Sequence, residues 1–412
     1  VGDILDLRDL ADINDFLFDN ELTLRDKEVS KRASRTLFAL WKMVHESEPI
    51  NFFLERDESL DKVLNIFIRV NSGGTQLSYS DLLLSIATAQ WKTRDARQEI
   101  TSFVDDINGI GDGFSFNKDF VLKCCLVLCD FSDIAFKVDN FNADNMDKIE
   151  SQWDSITAAI RSAVVLVDSL GYHGETLTSN NAIIPIAYYL YRRRCPANYA
   201  QAQAFAEDRS KVTKWLIIAL LKRIFSGQPD TVLRPVREVL RENHDSFPAE
   251  AIANRLRGIS KSMAIDDDEI ENLLNYQYGK PYTFSVLAFL YPSLDYRNKF
   301  HQDHIFPKSR FTPTRLAKAG IPEDQIPAYL SEVNRISNLQ LLEGLQNQEK
   351  LDKPIKEWLE KACPDSESLG SFRDRHFFPD VDLGMKNFLD FASARRDLLR
   401  RRFRLLLGTS EE

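Results

Sequence analysis

The stretch "FHQDHIFPKSRF" (residues 300–311) places two of the chain's six histidines and an aspartate within four residues. A second stretch, "ISNLQLLEGLQNQEKLDKP" (residues 336–354), follows it. The run up to Pro307 ends in a short strand candidate, "ISNLQLLEG" reads as its partner, and "LQNQEKLDKPIKEWLEKAC" returns to helical spacing. The expected local unit is therefore strand, strand, helix, with His301, Asp303 and His304 on the first strand and Asn338 and Asn347 on the second strand and the helix after it.

Working outward, the 412 residues suggest about two to three domains by the usual size of a hydrophobic core. Hydrophobic residues at 43% and charged residues at 28% are ordinary for a globular chain, and no apolar run reaches the ~18 residues of a membrane span. The expectation is a cytoplasmic protein with no membrane partner. Five cysteines without a CxxC pair, three of them in the apolar run "FVLKCCLVLCDF", read as buried thiols in a reducing compartment. Val1 in place of Met suggests a chain lacking its native start.

The net charge of −9 argues against a protein that coats nucleic acid through its global field. The charge is uneven, however. Residues 301–412 hold 18 Lys and Arg against 18 Asp and Glu, so the whole deficit lies upstream. The cationic density peaks in the final amphipathic helix, where Arg395, Arg396, Arg400, Arg401, Arg402 and Arg404 cluster. Arg396 and Arg400 are candidate phosphate contacts, and a solvated or acid-paired face is the competing reading.

The pattern upstream is almost wholly helical between residues 95 and 290, with "NAIIPIAYYLYRRR", "VTKWLIIALLKRIF" and "TVLRPVREVLREN" the clearest segments. Residues 1–48 read as helix and loop, and "INFFLE" as a short strand. "NSGGTQLSYSDLLLS" joins loop chemistry to a helix start marked by Ser78 and Asp81. The expected fold is mainly α (α+β). Residues 1–94 form a first domain, 95–284 a helical bundle, and 285–412 a domain carrying the hairpin and the arginine-rich helix.

Phosphodiester hydrolysis needs a base for water, a cation for the developing charge, and something to orient the base. His304 is the candidate base, because an imidazole takes a proton near neutral pH. Asp303 and the amide oxygen of Asn347 are hard oxygen donors suited to Mg²⁺ or Mn²⁺, and Asn338 would hold His304 or its hairpin in register. Lys308 and Lys350 are candidates for the scissile or flanking phosphate. One objection is geometric: neighbours on a regular strand face opposite ways, so Asp303 and His304 converge on an ion only if the strand bends near Pro307. A regular strand would instead put His301 beside Asp303 as the rival ligand.

At "HQDHIFPKS" and "NLQLLEGLQNQEK" the chain resembles the HNH, or ββα-metal, nuclease domain at the C-terminus of GmrSD-type restriction endonucleases. A helical insertion, "TPTRLAKAGIPEDQIPAYLSEVN" (residues 312–334), departs from that pattern and bears on substrate access. "IFIRVNSGGTQLSYSDLLLS" resembles a second block of the same family, from its N-terminal ParB-like (sulfiredoxin-like) domain, although the Asp-Gly-Gln-Gln-Arg run of that domain is absent. The resemblance implies a Mg²⁺-dependent DNA endonuclease of restriction or phage-defence type, acting on DNA that includes modified phage DNA. It also implies a nucleoside triphosphate near Arg69, Asn71, Ser72 and Gly73 in the full-length protein, and a homodimer is one assembly compatible with it. No GxxxxGK[ST] exists, so a P-loop is excluded. The competing expectations are a non-catalytic DNA- or partner-binding regulator with a structural metal hairpin, and a nucleotidase with an auxiliary nuclease half.

Overall fold

The computed structural model describes residues 7–47, 54, 56, 62, 66, 84–86, 90–243, 245–259, 261–291 and 300–408. The chain divides into two compact units, residues 1–67 and 68–412. Arg69, Asn71, Ser72 and Gly73, and the segment "INFFLE" apart from Leu54, lie outside the described residues.

In the first unit, α1 (Leu10–Asp19) and α2 (Lys27–His45) each start at an aspartate. Asp9 accepts from the amides of Ala11 and Asp12, and Asp26 accepts from that of Glu28. Ile13 and Leu17, one turn apart, bury with Leu7 against Leu37 and Trp41. The Trp41 Nε1–H donates to the Leu7 carbonyl at 2.9 Å, which ties the entry of α1 to α2.

The second unit is mainly helical. Between residues 96 and 290 it contains α3 (Ala96–Asn108), α4 (Lys118–Leu128), α5 (Ala143–Asp168), α6 (Ile184–Arg193), α7 (Ala206–Leu221), α8 (Asp230–Glu242), α9 (Ala249–Arg257), α10 (Asp267–Leu274) and α11 (Thr283–Leu290). α4 is apolar nearly all round and is buried from Phe120 to Leu128, as such a helix must be. Its thiols Cys124 and Cys125 are sealed in that core, and burial pushes the following Cys129 thiol up to about 12.

Polar clasps fix the loops between these helices. Asp208 accepts from the hydroxyls of Tyr189 and Tyr199, from Arg193 and from the Phe247 amide, which joins α6, α7 and the approach to α9. Glu150 of α5 accepts from the amides of Lys92, Thr93 and Arg94 at 2.7–2.9 Å. Burial alone would push its carboxyl up, but these donors outweigh it and hold the group at about 2. The domain boundary expected between residues 284 and 285 falls within α11.

β1 (Phe300–His304) and β2 (Leu339–Glu343) form an antiparallel pair, the sole sheet among the described residues. Two short helices, α12 (Pro313–Lys318) and α13 (Ile326–Glu332), occupy the connection between them. β2 runs directly into α14 (Gly344–Lys350), and α15 (Ile355–Ala362), α16 (Ser366–Arg375) and α17 (Phe388–Leu407) complete the chain. Phe306, Phe311, Tyr329, Trp358, Phe388 and Phe391 share one aromatic core beneath the hairpin. α17 turns Phe388, Phe391, Ala392, Arg395, Leu399 and Phe403 inward at spacings of three and four, and Gly408 ends it at φ 73°. Truncating Phe391 to Ala would cost roughly 3–5 kcal/mol by the usual price of a buried ring. No helix among the described residues is long and apolar enough to cross a membrane.

Candidate functional site

The ladder pairs Phe300 with Glu343, His301 with Leu342, Gln302 with Leu341, Asp303 with Gln340 and His304 with Leu339. It stays regular to the last residue of β1, because the chain leaves the sheet only at Ile305 and Pro307 comes too late to bend it. Asp303 and His304 therefore leave opposite faces, and His301 shares the face of Asp303. The convergence of Asp303 and His304 on one ion, expected if the strand bent, does not occur in this arrangement.

On one face, the Asp303 carboxylate receives the Lys350 ammonium at 2.9 and 3.1 Å and the Gln340 Nε2–H at 2.9 Å. The same ammonium donates to the His304 carbonyl at 2.6 Å. Lys350, expected at a phosphate, is fully buried at the end of α14. Burial pushes its ammonium down, and the Asp303 charge opposes that shift. Gln340 Oε1 is buried with no hydrogen-bond partner among the described residues.

These donors test the divalent ion that the resemblance implies. The set is oxygen-only: the Asp303 carboxylate and the His304 carbonyl already share one positive charge, and the side chain of Gln340, whose Nε2 bonds Asp303, carries an orphaned amide oxygen. That chemistry fits a hard cation once Lys350 yields its place. Among the described residues no group of three His, Cys, Asp or Glu could share an ion, so neutral amides such as Asn347 would have to complete the shell.

On the other face, the His304 ring lies against Tyr278, with centroids 4.5 Å apart, and Nε2 meets Asn334 Oδ1 at 3.0 Å. Burial pushes the imidazole below its ordinary value; the Asn334 contact and the Asp303 charge oppose the shift. Asn338 makes no such contact. Its Oδ1 accepts from the Phe306 amide at 2.8 Å, and its Nδ2 donates to the carbonyls of Phe306 (3.1 Å) and Val333 (2.8 Å). It thus braces the turn after β1, while the side chain at the imidazole is Asn334.

Asn347 and His301 line a cleft of about 560 Å³ together with Gln302, Tyr278, His173 and Glu175. The wall opposite the hairpin comes from the loop after α5, so both the helical body and the C-terminal region shape the cleft. Lys308 is exposed in the turn following Pro307. Arg396 and Arg400 both pair with Glu271 of α10, at 2.8 Å for Arg396. Their guanidinium groups hold the Glu271 carboxyl at about 2. Arg395 is buried and donates to the carbonyls of His376, Ile336 and Ser337, fastening α17 to the entry of β2.

Sequence reasoning missed Asn334, Tyr278 and Gln340. Gln340 was accessible in principle, since it sits opposite Asp303 once the register is known. Tyr278 and Asn334 come from separate segments that pair only in three dimensions. No protein-family model matches the chain, and no curated protein is significantly similar to it.

Proposed function

We propose that the C-terminal region is a phosphodiester-cleaving site and that the protein is a Mg²⁺- or Mn²⁺-dependent DNA endonuclease of restriction or phage-defence type. The observation that carries this reading is the placement of His304: a half-buried imidazole at the end of β1, held at one edge by Asn334 and flanked by Tyr278, which itself lines the cleft. Burial favours its neutral form, which is the form that accepts a proton from water. The water oxygen attacks phosphorus as its proton passes to the imidazole, the P–O bond to one sugar oxygen breaks, the departing alkoxide takes up a proton from solvent, and the exposed Lys308 ammonium offsets charge on the phosphate. Asp303 and Asn347 are the residues that would hold a divalent ion, which would supply charge neutralisation; Asp303 leaves the face of β1 opposite His304 and is paired with Lys350, so an ion there requires Lys350 to yield its place.

Plasmid nicking in the presence of Mg²⁺ or Mn²⁺ tests this. Cleavage should fall by about 100-fold or more in His304→Ala, the scale of a lost general base. Undiminished cutting by that variant removes the assignment. The cytoplasmic location, the nucleoside triphosphate at Arg69, Asn71, Ser72 and Gly73, modified phage DNA as substrate, and a homodimer belong to the same proposal.

The buried Lys350–Asp303 pair favours a second reading, a non-catalytic binding protein whose hairpin is structural. In that case Mn²⁺ neither binds nor raises the melting temperature, and EDTA changes nothing.

A further inference from the structure

The imidazole of His304 is gripped by residues outside the two strands of its hairpin. The segment 276–278 pairs with the segment 334–336: the Tyr278 amide donates to the Asn334 carbonyl at 2.8 Å, and the Ile336 amide donates to the Tyr276 carbonyl at 3.1 Å. Gln277 and Arg335 form the bridge between them. Arg335 adds a bond to Asn275 Oδ1 at 2.6 Å and an ion pair with Glu332 at 2.9 Å. Asn334 and Tyr278 are thus fixed by backbone bonds that do not depend on their side chains. One presents an amide oxygen to Nε2, and the other lays its ring against the imidazole.

We propose that Asn334 is a positioning residue that holds His304 in the tautomer protonated at Nε2, leaving Nδ1 as the nitrogen that accepts the proton. An amide oxygen only accepts, so a 3.0 Å contact with it requires the hydrogen on Nε2. A neutral imidazole has one N–H, and its second nitrogen then carries the lone pair. Tyr278 packs against the ring in a tilted contact, with centroids 4.5 Å apart, and so crowds it on one side. The orienting role falls to Asn334 because Asn338 has committed its amide to Phe306 and Val333.

This inference rests on His304 being the base, and its test separates the two. In protein labelled with ¹⁵N-histidine, His304 should show a low-field, slowly exchanging Hε2 signal and an unprotonated Nδ1. The Hε2 signal should vanish in Asn334→Ala, whose backbone bonds to Tyr278 remain, and persist in Asn334→Asp, which keeps the acceptor. In the nicking assay, Asn334→Ala should lower kcat at least about tenfold with KM little changed, a part of the general-base contribution, and Asn334→Asp should restore most of it. A proton found on Nδ1 of the unaltered protein, or a kcat untouched by Asn334→Ala in a cutting enzyme, overturns the inference. If the protein cuts no DNA the nuclease reading fails, and the ring signals alone decide whether Asn334 sets the tautomer.

Discussion

Lys350 holds its ammonium 2.9 Å from the Asp303 carboxylate in a site where the lysine has no exposed surface. The carboxylate that sequence reasoning offers to a divalent ion thus already has a cation. Both charges are stripped of water, so each depends on the other, and removing one strands its partner. Asp303→Asn should cost about 3–5 kcal/mol in urea unfolding, whereas Asp303→Leu combined with Lys350→Met, which strands no charge, should cost less than the two single losses added together. A double variant whose loss equals the sum of the two single losses would show that the pair is not coupled.

The same contact makes Lys350 a competitor of any ion at Asp303. Lys350→Met leaves the Asp303 carboxylate and the His304 carbonyl without a positive charge. Mn²⁺ should then bind at least about tenfold more tightly, a gain of about 1.4 kcal/mol, and raise the variant's melting temperature more than that of the parent. Electron paramagnetic resonance titration of free Mn²⁺ measures it. Equal affinities would place the ion elsewhere.

Asn338 offers a separate test of what the hairpin needs. Its buried amide satisfies one N–H and two carbonyls around the turn that leaves β1. Asn338→Ala leaves those groups without partners, and an unsatisfied buried group costs about 1–3 kcal/mol. The expected outcome is a loss of about 3 kcal/mol in chemical unfolding with a lowered melting temperature. A neutral substitution would mean that the turn holds itself.

The hairpin and the helices were legible because each announces itself locally. β1 and β2 are short runs bounded by breakers, and α4, α6 and α8 show apolar spacing within a dozen residues. The burial of Cys124, Cys125 and Cys129 followed from the same pattern, whereas Cys195 and Cys363, expected to be buried as well, are only partly covered. What could not be read is which polar residue meets which. Lys350 and Lys308 look alike in sequence, yet the end of α14 folds under β1 and seals one, while the turn after Pro307 exposes the other. Asn334 and Asn338 sit four residues apart, and only the pairing of 334–336 with 276–278 decides which one reaches His304. Arg395 differs from Arg396 by one step of helix rotation, which sends the first into the core and the second to Glu271.

That pairing with Glu271 leads to a ranking among the candidate phosphate contacts. Arg396 and Arg400 must leave Glu271 to serve DNA, so part of any gain is lost in breaking those ion pairs. Lys308 is exposed in its turn. In fluorescence anisotropy with duplex DNA, Lys308→Ala should reduce the slope of log affinity against log salt by about one, and Arg400→Ala by less. Equal slopes would show that DNA displaces Glu271 without penalty.

His376 sets a pH dependence of the fold that is separate from the candidate chemistry. Its ring lies 4.2 Å from that of Phe372, its Nδ1 is 3.3 Å from the Tyr291 hydroxyl, and its carbonyl accepts from Arg395. Burial, reinforced by the charges of Arg395 and Arg375, pushes the imidazole down to about 3. A histidine in the unfolded chain titrates near ~6.5, so between that pH and 3 the unfolded state binds the extra proton. The contribution is fully present above pH 6.5 and is lost as the pH falls toward 3, at up to about 1.4 kcal/mol per pH unit. Lowering the pH from 7.5 to 5 should therefore cost the unaltered protein about 2 kcal/mol more than His376→Phe, which has no proton to take up. Denaturant unfolding at the two pH values measures the difference, and identical pH dependence in the two proteins would mean that this ring is already protonated in the fold.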